Sequence, residues 1–165
     1  MFRMRLFGLI LIVLPLALVV GALLLNRATL FAPPGPLARL ATYLGSNVAE
    51  LQPQAALPEL RPGVYPVKPG LLCREVAAAL DALDWDWQQT HDCRYQATVT
   101  TPLLKFTDDV TVTVEPVGEA SARLHIRSAA RLGRGDFGAN RRHVLDLVAA
   151  VERQLSQGEP VRLED

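Results

Sequence analysis

The chain has 165 residues and carries 17 basic and 17 acidic side chains, so its formal charge is zero and no overall field points to nucleic acid. Half of the residues are hydrophobic, and much of that fraction lies at one end. Arginine outnumbers lysine 15 to 2 and alanine is abundant, a composition associated with GC-rich bacterial coding.

Leu6 to Leu25 reads LFGLILIVLPLALVVGALLL, twenty residues without a charge, which as a helix spans about the 30 Å of a bilayer core. Pro15 is tolerated in such a helix. Arg3, Arg5 and the α-amino group precede the run while Arg27 and Arg39 follow it, a bias that keeps the N-terminus inside. A signal peptide shares the basic start and apolar core, but no small-x-small site follows directly at Leu23-Leu24-Leu25-Asn26. The expectation is therefore an uncleaved single-pass anchor in the cytoplasmic membrane. Residues 1–5 would lie in the cytoplasm, 6–25 would span the membrane, and the C-terminal domain would stand in the periplasm. No lipid-attachment cysteine sits near the span.

Residues 26–70 hold eight of the twelve prolines, which excludes a long helix or a central strand and predicts a semi-extended spacer. A short helix fits Leu37 to Leu44, and Leu57 to Val67 is a stretch that can lie against the domain. From residue 71 the pattern becomes globular. Leu72, Val76, Ala79, Leu80 and Leu83 recur at helical spacing and predict a helix over 71–83. Alternation then predicts four strands, carried by Asp84 to Gln88, Tyr95 to Thr101, Val110 to Glu115 and Arg123 to Ser128. Trp85 and Trp87 read as core anchors rather than a ligand cage. A last helix begins near Gly138 with Val144, Leu147, Val148, Val151 and Leu155 on its buried stripe, and Gly158 and Pro160 end it. The fold class is thus α+β: an N-terminal transmembrane helix, then a small helix–four antiparallel strands–helix domain over 71–157, a two-layer sandwich with both helices on one sheet face. Residues 158–165 form a tail.

Register between the last two strands follows from face matching. A three-residue loop, Gly118 to Ala120, pairs Val114 with Leu124, Val112 with Ile126, Glu115 with Arg123 and Thr113 with His125, keeping one face apolar. The same reasoning places the two cysteines. A helix from 71 runs roughly 18 Å one way and the next strand returns roughly 20 Å, which brings Cys93 back near Cys73. Outside the cytosol an even pair is a disulfide candidate.

Two segments carry a family resemblance. TTPLLKFTDDV, from Thr100 to Val110, resembles the "TT…FxDDV" segment of the domain-of-unknown-function family numbered 1499. RSAARLGRGDFGANRR, from Arg127 to Arg142, resembles that family's "RSxSRxGxSDxGxNRxR" signature. The resemblance covers about residues 72–155. Ala130 and Gly135 stand where the family usually has serines, and the family's cysteine-containing proline motif is absent near the start of the domain. The family is widespread in bacteria and plastids, and the resemblance implies no activity.

The signature segment offers the candidate site. Arg127, Arg131, Arg134, Arg141 and Arg142 beside a helix start can hold a phosphate or carboxylate. The other reading is a fold junction. Gly133 and Gly135 make the turn around Arg134, Gly138 stands at the junction where the helix begins, Asp136 caps the helix, Arg131 pairs with Asp108 or Asp109, and Asn140 bonds the glycine turn. Catalytic patterns are weak. His91 and Cys93 share a face on an extended segment but lack an orienting third group. Asp108 and Asp109 point to opposite sides of a strand. The three histidines lack metal-ligand spacing, and there is no GxSxG, P-loop or GxGxxG. No cofactor is implied. The expected function is a non-enzymatic, membrane-anchored domain that binds a protein, a lipid headgroup or another anionic envelope component. An enzyme acting on an anionic cell-envelope substrate is the alternative, and a structural subunit of a membrane assembly is a third.

Overall fold

The computed structural model describes residues 2–101 and 105–158, with side chains from Ile10 onward. Along the chain run α1 (Phe2–Leu25), α2 (Pro36–Gly45), β1 (Val48–Glu50), a single 3-10 turn (Pro58–Leu60), β2 (Val64–Tyr65), α3 (Pro69–Ala82), β3 (Asp86–His91), β4 (Arg94–Thr100), β5 (Thr107–Gly118), β6 (Ser121–Ala130) and α4 (Ala139–Gly158). Residues 102–104 of the first resemblance segment and all but Gly158 of the expected tail lie outside the described residues. The fold is mixed α+β, with four helices and an antiparallel sheet.

The sheet has six strands, not four. Its order is β1-β6-β5-β4-β3, with β2 also on β6. The two additional strands come from the proline-rich segment. Val48, Ala49 and Glu50 face Ala129, Ser128 and Arg127, while Val64 and Tyr65 face Arg123 and Ala122. Pro53, Pro58, Pro62 and Pro66 interrupt the chain between and after them, so each strand stays short and sits at an edge, where a missing N–H is tolerated. Together they cover the outer edge of β6, and β3 is left at the other edge of the sheet. Proline content alone suggests slack; the edge of β6 supplies partners that make the segment part of the sheet.

The β5–β6 register matches the expectation: Val112 faces Ile126, Thr113 faces His125, Val114 faces Leu124 and Glu115 faces Arg123. The device differs from a plain three-residue loop. Gly118 faces Ser121 across a tight turn, and the register shifts between Pro116 and Gly118, so a bulge supplies the odd residue.

Alternation along β5 and β6 turns Val110, Val112, Val114, Leu124 and Ile126 to one side, where all are buried. Both domain helices cover that side, as expected, with Leu72, Val76, Ala79 and Leu80 of α3 packed with Val144, Leu147, Ala150 and Val151 of α4. Each fully buried valine, leucine or isoleucine here contributes roughly 1.5–3 kcal/mol. Trp87 meets Tyr95 edge-on and Trp85 meets His143 edge-on, both against the core. Cys73 near the start of α3 and Cys93 in the β3–β4 turn form a disulfide with Cα atoms 5.2 Å apart. The out-and-back path of helix and strand is what brings them together.

The expected span falls in α1, a 24-residue helix with Pro15 inside it. Its described side chains run from residue 10 to 25, and among the described residues no helix is long and apolar enough to cross a membrane.

Candidate functional site

The junction between β6 and α4 is built on Asp136. One carboxylate oxygen accepts from the Gly138 N–H at 2.8 Å and the other from the Asn140 N–H at 2.9 Å, so the side chain caps α4. Gly138 has φ +86, a conformation that favours glycine, and a Cβ there would make only ordinary contact with the Tyr43 ring. Gly133 has φ +93, as a glycine turn implies. Gly135 is needed for a different reason: its φ is ordinary, but a Cβ would overlap the Leu44 backbone at the end of α2. Asn140 does not bond the glycine turn. It is fully buried, accepts from Ser128 Oγ at 2.6 Å and donates to the Asn47 carbonyl at 2.8 Å. It is Asn47 that reaches the turn, donating to the Gly133 carbonyl at 2.8 Å.

This junction is the seat of α1. Leu23 is buried in the core, and Asn26 donates to the carbonyls of Asp136 and Phe137. Arg142 donates to the Leu25 carbonyl at 3.1 Å and Arg141 to the Arg27 carbonyl at 3.4 Å. Carbonyls at a helix C-terminus lack intrahelical donors and carry the negative end of the dipole, so they suit a guanidinium. Two arginines expected to bind an external anion thus hold the chain's own backbone.

Beneath α2 lies a cluster of two arginines around one carboxylate. Arg39, 1% exposed, grips Glu59 with two N–H groups at 2.7 and 2.8 Å, and Arg141 donates to the same carboxylate at 2.6 Å. Arg39 also donates to Tyr43 Oη, to Thr29 Oγ1 and to the carbonyls of Ala32 and Pro33. Burial pushes the Glu59 carboxyl up, but the Arg39 and Arg141 hydrogen bonds prevail and hold it down at about 2. Sequence reasoning placed Arg39 and Glu59 in a spacer and missed this cluster. Its trace in the sequence is the four-residue spacing of Arg39 and Tyr43 on α2; nothing local points to Glu59.

A second buried polar group lies between β5, β6 and α4. Asp108 and His143 are both almost fully buried, with Asp108 Oδ2 at 3.5 Å from His143 Nδ1 and Ser128 Oγ at 3.4 Å from the same nitrogen. Burial, aided by Asp136 and Asp109, raises the Asp108 carboxyl to about 6, and burial with Arg142 nearby lowers the His143 imidazole to about 4. Both groups are driven toward neutrality, so this is not an ion pair. Nor is it a nucleophile–base–orienter set: serine and aspartate face one ring nitrogen, the other, Nε2, is buried without a partner, and Ser128 is fully buried.

The opposite face of the sheet is open and polar. A half-open hollow of about 590 Å³ crosses β3, β4 and β5, lined by Asp86, Gln88, Gln96, Thr98, Asp109 and Thr111 with Arg131 at its side. Arg131 makes a forked contact with Asp109 at 2.7 to 3.1 Å, which holds the Asp109 carboxyl below its usual range. The structure therefore separates the five signature arginines. Arg127 stands on the open face opposite Thr111 and Glu50, Arg131 is on Asp109, and Arg134 is exposed in the glycine turn. Arg141 is buried on Glu59, and Arg142 holds α1. They form no single anion cradle, because consecutive residues of a turn face different directions. A smaller cavity of about 190 Å³ lies between α2, β1 and the junction, lined by Tyr43, Ser46, Gln52, Asp136 and Arg141 among others. Among the described residues no group of three or more His, Cys, Asp or Glu side chains is placed to hold a metal.

Among solved structures, the chain is similar to TTHA0849 from Thermus thermophilus, at 13% identity and a TM-score of 0.35, covering 68% of this chain and 99% of that one. No curated protein matches the sequence. Residues 44–151 match the family described as Protein of unknown function (DUF1499), a match that begins at the end of α2 and so takes in β1 and β2 as well as both segments that carry the sequence resemblance. That match spans well over half of the chain, and the protein belongs to this family.

Proposed function

We propose that the protein is a single-pass, membrane-anchored domain, held on the periplasmic side of the cytoplasmic membrane, that binds an envelope partner rather than catalysing a reaction. One observation carries this reading. From Ile10 to Leu14 every residue of α1 is apolar and exposed, and Leu16, Leu18, Val20, Leu24 and Leu25 continue the exposure. Five consecutive helical residues point in all directions around the axis, so α1 is apolar all round, as a helix needs to be in lipid and not on the surface of a water-soluble domain. Only its last turns, through Val19 and Leu23, meet the core.

The open face of the sheet supports the binding half of the reading. It is broad, polar and uncovered, and the buried Ser128, His143 and Asp108 lack a catalytic arrangement. Alkaline phosphatase fused after Asp165 tests the topology: an active fusion is expected, and an inactive one overturns it. A photocrosslinking residue in place of Gln96, in cells expressing the whole chain, tests the binding. The expected result is a discrete adduct; labelling no greater than with the probe at Val117 on the β5–β6 turn overturns it.

A further inference from the structure

We infer that the exposed face of α2, together with Phe31 and the glycine turn, rests on the surface of the bilayer that α1 enters, as a second and shallow membrane contact. This rests on α1 being the anchor. Outside α1, the most exposed large apolar side chains among the described residues are Phe31 at 90%, Leu37 at 83% and Leu132 at 74%, and Leu44 is also exposed. They are separate in sequence, and backbone contacts and hydrogen bonds tie the segments that carry them to α2. Leu37 and Leu44 stand seven residues apart on α2, two turns along one stripe. Leu132 belongs to the glycine turn, which Gly135 seats against the Leu44 backbone. Phe31 is fixed before α2 because Arg39 holds the carbonyls of Ala32 and Pro33.

The same elements are stitched to the end of α1. Phe137 donates its N–H to the Tyr43 carbonyl of α2, and its own carbonyl accepts from Asn26, the residue after α1. The patch is therefore continuous with the point at which α1 leaves the domain. That continuity selects lipid over a protein as its occupant: Leu25, still largely exposed, and Phe31 are six residues apart, so the patch starts at the depth where α1 would emerge. Aromatic and aliphatic side chains beside exposed cations suit this depth: Arg134 is exposed, Arg27 is exposed although its guanidinium lies 3.7 Å from Asp146, and both can meet phosphates while the apolar side chains meet the upper acyl chains. The opposite end of the sheet differs. Val117, on the β5–β6 turn, lies about ten residues up β5, roughly 33 Å from the glycine turn.

Labelling tests the inference on the whole chain. Both native cysteines are in the disulfide, so a cysteine introduced at Leu37, Leu132 or Val117 is the one free thiol for an environment-sensitive fluorophore. Each labelled protein is reconstituted into phosphatidylcholine vesicles containing phosphatidylglycerol, floated, and quenched with aqueous iodide or with lipid-borne nitroxide. Labels at 37 and 132 are expected to lose about threefold or more of the iodide quenching seen at 117 and to gain nitroxide quenching, as for side chains a few ångströms into the headgroup boundary. If the protein floats but all three labels respond like the one at 117, the bilayer contact is wrong and the anchor stands. If the protein does not float, the anchor fails and the contact fails with it. Where the labels at 37 and 132 are shielded, Arg27→Gln with Arg134→Gln is expected to weaken that shielding in the same vesicles, and unchanged shielding removes the arginines from the contact.

Discussion

The two faces of the sheet use the same ionic chemistry in opposite ways, and β5 shows this in consecutive residues. Asp108 turns inward beside His143, and burial lifts its carboxyl to about 6. Asp109 turns outward to Arg131, whose hydrogen bonds hold its carboxyl below the usual range. The arginines repeat the contrast. Arg39 and Arg141 are buried on Glu59 under α2, whereas Arg131 is exposed on Asp109. Contact geometry is similar in the two pairs, so distance does not distinguish them. What differs is the state left behind when one partner is removed: buried guanidinium groups without a counter-ion on one side, solvated ones on the other.

The strongest way to break the buried side is Glu59→Ala. It leaves Arg39 and Arg141 facing each other without a carboxylate, and the expected destabilisation is about 3–5 kcal/mol, read from urea unfolding. Glu59→Gln sharpens the same point through pH. A carboxyl held at about 2 contributes stability that is complete above its ordinary value of 4.5 and lost as pH falls toward 2. The wild-type acid limb over that window is expected to be steeper than that of the Gln variant.

The adjacent aspartates give the next effect, and the signs are opposite. Asp108 is raised, so its contribution is fully present below its ordinary value of 3.8 and is lost as pH rises through about 6. Asp108→Asn is expected to remove that loss, making the variant relatively more stable at pH 7 than at pH 4. Asp109 is lowered, so its contribution is present above 3.8 and lost in acid, and Asp109→Asn is expected to lack that contribution above 3.8, to flatten the acid limb and to converge with the wild type in strong acid. Unfolding midpoints between pH 3 and pH 8 on both variants decide this; identical pH profiles would erase the distinction between the faces. The smallest effect is Arg131→Ala, expected to leave the thermal midpoint unchanged within error, since an exposed ion pair contributes little.

Legibility in the sequence followed the same division. The β5–β6 register could be read because Val110, Val112 and Val114 alternate strictly with polar residues and a one-residue slip would bury His125. The disulfide could be read because helix and strand lengths close the path from Cys73 to Cys93. The Arg39–Glu59–Arg141 cluster could not, because its members lie 20 and 82 residues apart and obey no period. β1 and β2 were hidden for a related reason: three- and two-residue strands among prolines owe their existence to the edge of β6, not to their own propensity. The five signature arginines were concentrated in sequence, but a turn followed by a helix start sends neighbours to different surfaces.

The seating of Asn26 and Leu25 on the α4 junction has a mechanical consequence. A domain on a slack linker would move independently of α1, and this one is instead clamped to the end of that helix. With α1 as the anchor proposed above, the polar face would move as the far end of a lever. If α1 leans in the bilayer by about 20°, a point about 30 Å out on the domain swings by roughly 10 Å. Bilayer thickness, by setting that lean, would become an input to where the open face is aimed.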